Sequence, residues 1–166
     1  TCLVDLDPQG AVGLSLKSGT RKTSGVVGLL AGDAWDRARL ETRIPGLSLL
    51  TTGDIPPGAI EETHDAWSSL PTIRRLLASM RDVDLALPDT PAGIAGPTRA
   101  AAQATGRVLV PLQCEPLSLR TVPAVLASIA NWRSGGHDVS VLGLLLTMTG
   151  FRDEHALAVL EEAWAL

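Results

Sequence analysis

Short apolar runs that end in a carboxylate or a Pro/Gly turn alternate along this chain with stretches whose apolar residues return every three or four positions. Cys2-Leu3-Val4 runs into Asp5-Leu6-Asp7-Pro8-Gln9-Gly10, which predicts a strand delivering two acids to a tight turn. Asp5 and Asp7 lie two apart, so an extended strand turns both to the same side. Leu85-Ala86-Leu87 leads in the same way into Pro88-Asp89-Thr90-Pro91. An alanine-rich helix from Pro97 to Thr105 follows, Gly106 stops it, and Val108-Leu109-Val110 reads as a second short strand, together one βαβ crossover. A carboxylate that ends such a strand stands at the sheet's C-terminal edge, where ligands bind in open α/β sheets.

Other elements follow from the same patterns. Ile73, Leu76, Leu77 and Met80 predict a helix from Ser69, capped by Ser69 or Ser68 and with Pro71 in its first turn, while Arg74, Arg75 and Arg81 make a solvated face. Leu119, Val122, Leu126 and Ile129 keep helical spacing, Pro123 places that helix's start near Ser118 or Thr121, and Gly135-Gly136 ends it. Residues 44–52 read as a secondary strand, 53–59 as a loop, 24–30 as a short helix weakened by two glycines, and 141–148 as a buried strand. Asp153 is placed to cap a last helix with Leu157, Leu160 and Trp164 on one stripe. Strand and helix in alternation argue for a doubly wound, mostly parallel α/β sheet with helices on both faces.

The bulk properties narrow the classes. At 166 residues and 45% hydrophobic content, the chain suits one core, so a single domain over 1–166 is expected. A net charge of −4 gives no general attraction to nucleic acid, which leaves only local contacts. Cys2 and Cys114 show no CxxC or zinc spacing and fit unpaired thiols in a reducing cytoplasm. The longest apolar runs fall far short of the ~20 residues of a membrane span, and no leader precedes Thr1, so a protein with no membrane partner is expected. Because the chain opens at Thr1 inside a strand pattern, it is expected to be a piece of something longer. His64, His137 and His155 stand apart from any ligand set, Ser118 and Ser140 lack a nucleophile-elbow pattern, and the four tryptophans read as packing.

Three motifs carry a family resemblance: TCLVDLDPQG at residues 1–10, LALPDTPAGIAGPTRAAAQATGRVLVPLQCEPLSL at 85–119, and the strand and helix of 141–162 that end in VLEE. In this order they resemble the ParA/Soj partition ATPases, within the MinD-type deviant Walker A group of P-loop NTPases. The resemblance implies ATP and Mg²⁺ as cofactors, and a homodimer whose ATP-dependent association and hydrolysis serve plasmid or chromosome partitioning. It also implies a partner partition protein that stimulates turnover, and non-specific DNA contacts, with Arg152 in a comparable position. By the same resemblance Asp89 is the Walker B acid that holds magnesium through water, Asp7 positions the attacking water, and Asp5 assists near the metal. Gln9, Thr90 and Pro91 match the motif's nucleotide-binding surroundings. A hydrated magnesium ion needs only such sparse carboxylates.

The chain also departs from that pattern. The family's lysine-bearing glycine loop, of the type KGGVGKT, precedes its DxDPQG element, and no GxxxxGK[ST] occurs in these residues. Pro88 replaces an apolar strand residue, and Ala92 stands where a second proline is usual. Such a chain alone is expected to bind ATP poorly, to be truncated at both ends, and to expose unpaired strand edges that favour aggregation. Two alternatives follow: a non-catalytic ParA-like scaffold or decayed copy, and a MinD-type enzyme of metabolite amidation or metal-centre assembly.

Overall fold

The computed structural model describes residues 1–17, 20, 22–149, 159 and 161–163. Arg152, Asp153, His155, Leu157, Leu160 and Trp164 lie outside the described residues, while residues 159 and 161–163 of the expected last helix are helical. The fold is mixed α/β with parallel sheets, and the chain divides into two compact units, Thr1–Ala104 and Thr105–Leu166.

In the first unit β1 (Cys2–Asp5) is followed by short helices α1 (Ala11–Leu14), α2 (Gly25–Leu30) and α3 (Trp35–Ala38). Then come β2 (Leu40–Glu41), β3 (Ser48–Leu50), α4 (Ile60–Trp67), α5 (Leu70–Ala78), β4 (Ala86–Asp89) and α6 (Gly96–Thr105). The sheet order is β2-β3-β1-β4, with β1 parallel to both neighbours and β2 antiparallel to β3. Alternation explains the core: Val4 from β1, Leu6 just past it and Leu50 from β3 meet Val26, Trp67, Ile73 and Leu76 from the helices, all almost wholly buried. The arginines Arg74, Arg75 and Arg81 are exposed, as the spacing predicts.

One local expectation is revised. The strand expected over 44–52 shrinks to three residues, because the Thr42 hydroxyl donates to the Leu47 carbonyl (2.8 Å) and accepts from the Ile44 amide (3.1 Å), which bends that segment into a turn through Gly46 at φ 76°. Ser69 is the N-cap of α5, as expected, but makes no side-chain cap bond, and the Ser68 hydroxyl donates to the His64 carbonyl (2.7 Å).

The second unit pairs β5 (Arg107–Gln113) with β6 (Ser140–Thr147) in parallel, joined by α7 (Pro116–Leu119) and α8 (Val122–Ser134). The predicted strand 108–110 runs on through Pro111 to Gln113, where pairing with β6 continues. Val110, Leu112, Leu119, Val122 and Val159 form its core. The expected crossover of strand, helix and strand exists in chain order, but β5 bonds to β6 and β4 to β1. Several leucines stay exposed on these strands, among them Leu87 at 46% and Leu109 at 50%. Neither Cys2 nor Cys114 joins a disulfide, and both are buried.

Candidate functional site

Parallel pairing brings the acids together. β1 and β4 align Cys2 with Ala86, Leu3 with Leu87, Val4 with Pro88 and Asp5 with Asp89, so both strands reach the sheet's carboxyl edge with a carboxylate. The Leu6 amide donates to the Asp89 carbonyl (2.7 Å) and extends the ladder one step past β1. Asp5 is fully buried and accepts from the amides of Asp7 and Val12, each at 3.2 Å. The Asp7 carboxylate accepts from the Gln9 amide (2.9 Å), the Gly10 amide donates to the Asp7 carbonyl (2.8 Å), and Gly10 takes φ 68°, where a glycine is favoured.

The electrostatics are those of an acidic cluster short of positive charge. Burial pushes Asp5 up to about 6; the two amides lower it, and the charges of Asp89 and Asp7 raise it further. Asp89 is raised too, first by the protein that backs it at the strand tip and then by the Asp7 charge, while a backbone bond from Thr90 counteracts. No lysine or arginine among the described residues forms an ion pair with Asp5, Asp7 or Asp89. Among those residues no set of three His, Cys, Asp or Glu side chains converges as a metal cage. A hydrated magnesium ion, held by one or two carboxylates and its own waters, fits this arrangement, because a cation offsets the burial, and then the repulsion, that raise Asp5 and Asp89. A nucleotide needs a phosphate cradle as well, and the sequence holds no glycine-rich lysine loop to make one.

Thr90 follows Asp89 directly, and the Pro91 carbonyl accepts from the Thr98 hydroxyl (2.9 Å), which ties this loop to α6. Asp7, Gln9 and Pro91 face a common hollow of about 720 Å³ that is closed by two residues sequence reasoning missed, Glu61 and His64. Their spacing of three on α4 puts both on one helix face, which is the only signal the sequence offers for them. His64 is packed rather than loose: a Cβ on Gly96 would come within 2.7 Å of its ring.

No family model matches the chain. It is 30% identical to the chromosome-partitioning ATPase Soj of Treponema pallidum over 98% of this chain and 64% of that protein. It is 35% identical to the Soj of Thermus thermophilus over 88% of this chain and 56% of that one. The chain thus spans less than two thirds of the length of these curated relatives. Among solved structures, cobyrinic acid a,c-diamide synthase from Mycobacterium smegmatis matches at 30% identity and TM-score 0.76, over 99% of this chain and 68% of that one. A second crystal structure of that synthase, with bound ATP analogue and magnesium, matches at 28% identity and TM-score 0.78 with the same coverage. A plasmid partition protein from Borrelia burgdorferi, 12% identical over 97% of this chain and 70% of that one with a TM-score of 0.67, shares the fold.

Proposed function

This chain is a ParA/Soj-type member of the MinD/ParA group of P-loop NTPases, and from that premise we propose that it is the acid-bearing part of an ATPase that dimerises with ATP and partitions plasmid or chromosomal DNA. One observation carries the reading: Asp5 and Asp89 stand in register at the carboxyl edge of adjacent parallel strands. Asp89 would hold magnesium through water, Asp5 would assist near the metal, and Asp7 on the turn would position the attacking water. The magnesium ion, when bound, supplies charge neutralisation at the phosphate oxygens. Gln9, Thr90 and Pro91 line the nucleotide's approach. The two compact units act as one domain, which the match to Soj over 98% of the chain favours. The protein works in the cytoplasm as a homodimer, with a partition partner that stimulates turnover and local contacts to DNA. No helix among the described residues is long and apolar enough to cross a membrane.

The test is magnesium-dependent ATP hydrolysis by the complete reading frame that encodes this chain. Asp7→Ala is expected to abolish turnover while nucleotide is still bound, and unchanged turnover in that variant refutes the assignment. A second reading, ATP-driven amidation of a metabolite carboxylate, is favoured by the 30% identity to the cobyrinic acid a,c-diamide synthase. Glutamine-dependent amide formation on a corrinoid acid, with no stimulation of ATP turnover by DNA, would select it. The scaffold alternative, favoured by Pro88 in the β4 ladder opposite Val4, predicts no saturable binding of labelled ATP with magnesium.

A further inference from the structure

A second hollow, of about 370 Å³, shares Pro8 and Gln9 with the first but is lined by none of Asp5, Asp7 and Asp89. Its walls are segments that leave the carboxyl ends of the parallel strands β1 and β3: Pro8 to Gly10 on one side and Thr51 to Ile55 on the other. Ligands of open α/β sheets gather at that edge. Gly10, Gly13 and Gly53 line it without side chains, and a Cβ on Gly10 would come within 3.1 Å of the Thr52 hydroxyl, so the backbone itself lines the hollow closely. The exposed Lys17 and Lys22 also line it, against the single carboxylate of Asp54, and among the described residues neither lysine is engaged in an ion pair. Thr23 and Thr51 bring hydroxyls 3.5 Å apart to the same wall, while Leu40 and Ile55 give it an apolar part.

Two ammonium groups against one carboxylate make a positive spot on a chain whose net charge is −4. Ammonium groups and hydroxyls together are donors suited to phosphate oxygens, and the size and mixed polarity suit a small molecule more than a bare ion. We propose that this hollow binds a small organic phosphate monoester, its phosphate between Lys17 and Lys22 and its carbon body against Leu40 and Ile55. The proposal stands apart from the ATPase reading, since it uses neither Asp5 nor Asp89.

Calorimetric titration of the complete protein encoded by the reading frame that holds this chain with phenyl phosphate, at fixed ionic strength and without divalent cations, tests it. The expected result is saturable binding at one site per chain, with inorganic phosphate at least tenfold weaker. Lys17→Gln with Lys22→Gln should weaken phenyl phosphate at least tenfold, whereas Arg74→Gln with Arg75→Gln, which removes the same charge from exposed positions on α5, should leave it unchanged. Absence of saturable binding, equal losses in the two double variants, or equal affinity for inorganic phosphate would each overturn the proposal. Both pairs are exposed, so neither substitution touches the core.

Discussion

Asp5 offers the sharpest test of the acidic edge. Its carboxyl, ordinarily near 3.8, is held at about 6 in the folded protein by burial first and by its acidic neighbours after that. Well below pH 3.8 the group is protonated whether the chain is folded or not, and it adds nothing to the pH dependence. Between pH 4 and 6 the unfolded chain gives up the proton while the folded one keeps it, so stability falls as pH rises; above 6 the loss is complete and constant. At about 1.4 kcal/mol per pH unit, the gap from 3.8 to about 6 amounts to about 3 kcal/mol. Asp5→Asn removes that titration. Its amide oxygen still accepts one of the two backbone amides and its NH₂ group meets the other, which costs a fixed amount at every pH. Urea unfolding followed by fluorescence of the buried Trp35 and Trp67 should therefore show the variant gaining about 2.4 kcal/mol on the wild type from pH 4 to pH 7, the rest of the change lying below pH 4. Saturating magnesium should shrink that gain, because a bound cation favours the ionised carboxylate. A difference that stays flat within about 0.5 kcal/mol across the range refutes the argument from burial and repulsion.

Other consequences are simpler to read. Ile73 is fully buried in the first unit's core, and Ile73→Ala should cost about 2–5 kcal/mol in the same unfolding assay. Gly25 sits at φ 59° where a Cβ would lie 2.3 Å from the Gly53 amide and the Thr51 carbonyl, so Gly25→Ala should cost on the order of 3 kcal/mol and lower the thermal midpoint accordingly. Leu87 is 46% exposed on the terminal strand of its sheet, and Leu87→Lys should raise the soluble concentration, read by light scattering, without changing the unfolding midpoint by more than about 0.5 kcal/mol.

Much of this architecture was legible because particular residues carry two signals at once. β1 and β4 each join an apolar run to an acid and a proline, and α5 joins an apolar stripe to exposed arginines, so strand, edge and face could be read together. α4 could not be read in that way: Glu61, Glu62, His64 and Asp65 surround it with charge and only Trp67 is buried, so no stripe marks it. β2 has two residues and exists through its pairing with β3, which local pattern does not encode. β5 outruns its expected end because pairing with β6 extends it through Pro111, a tertiary effect that overrides a local breaker. The acids of the site were visible one by one. The wall built by Glu61 and His64, and the pair Lys17 and Lys22 facing Thr51 to Ile55, depend on contacts across more than 25 positions of sequence and were not.

The acidic edge is a consequence of strand direction. In a parallel pair both chains arrive at the same end, so two strands that each finish in Asp must present their carboxylates side by side; an antiparallel pair with the same sequences would separate them by the length of the strands. Register then decides whether the acids share a side, since a slip of one residue would turn Asp89 to the opposite face. The Leu6 amide on the Asp89 carbonyl fixes that register one step beyond the last residue of β1. Asp5, held by the amides of Asp7 and Val12, cannot turn away from its neighbour, so the repulsion between the acids is built into the folded state. A divalent cation is the ligand that removes this cost while leaving both backbone bonds in place, and this is the physical reason to look for magnesium here before any other partner.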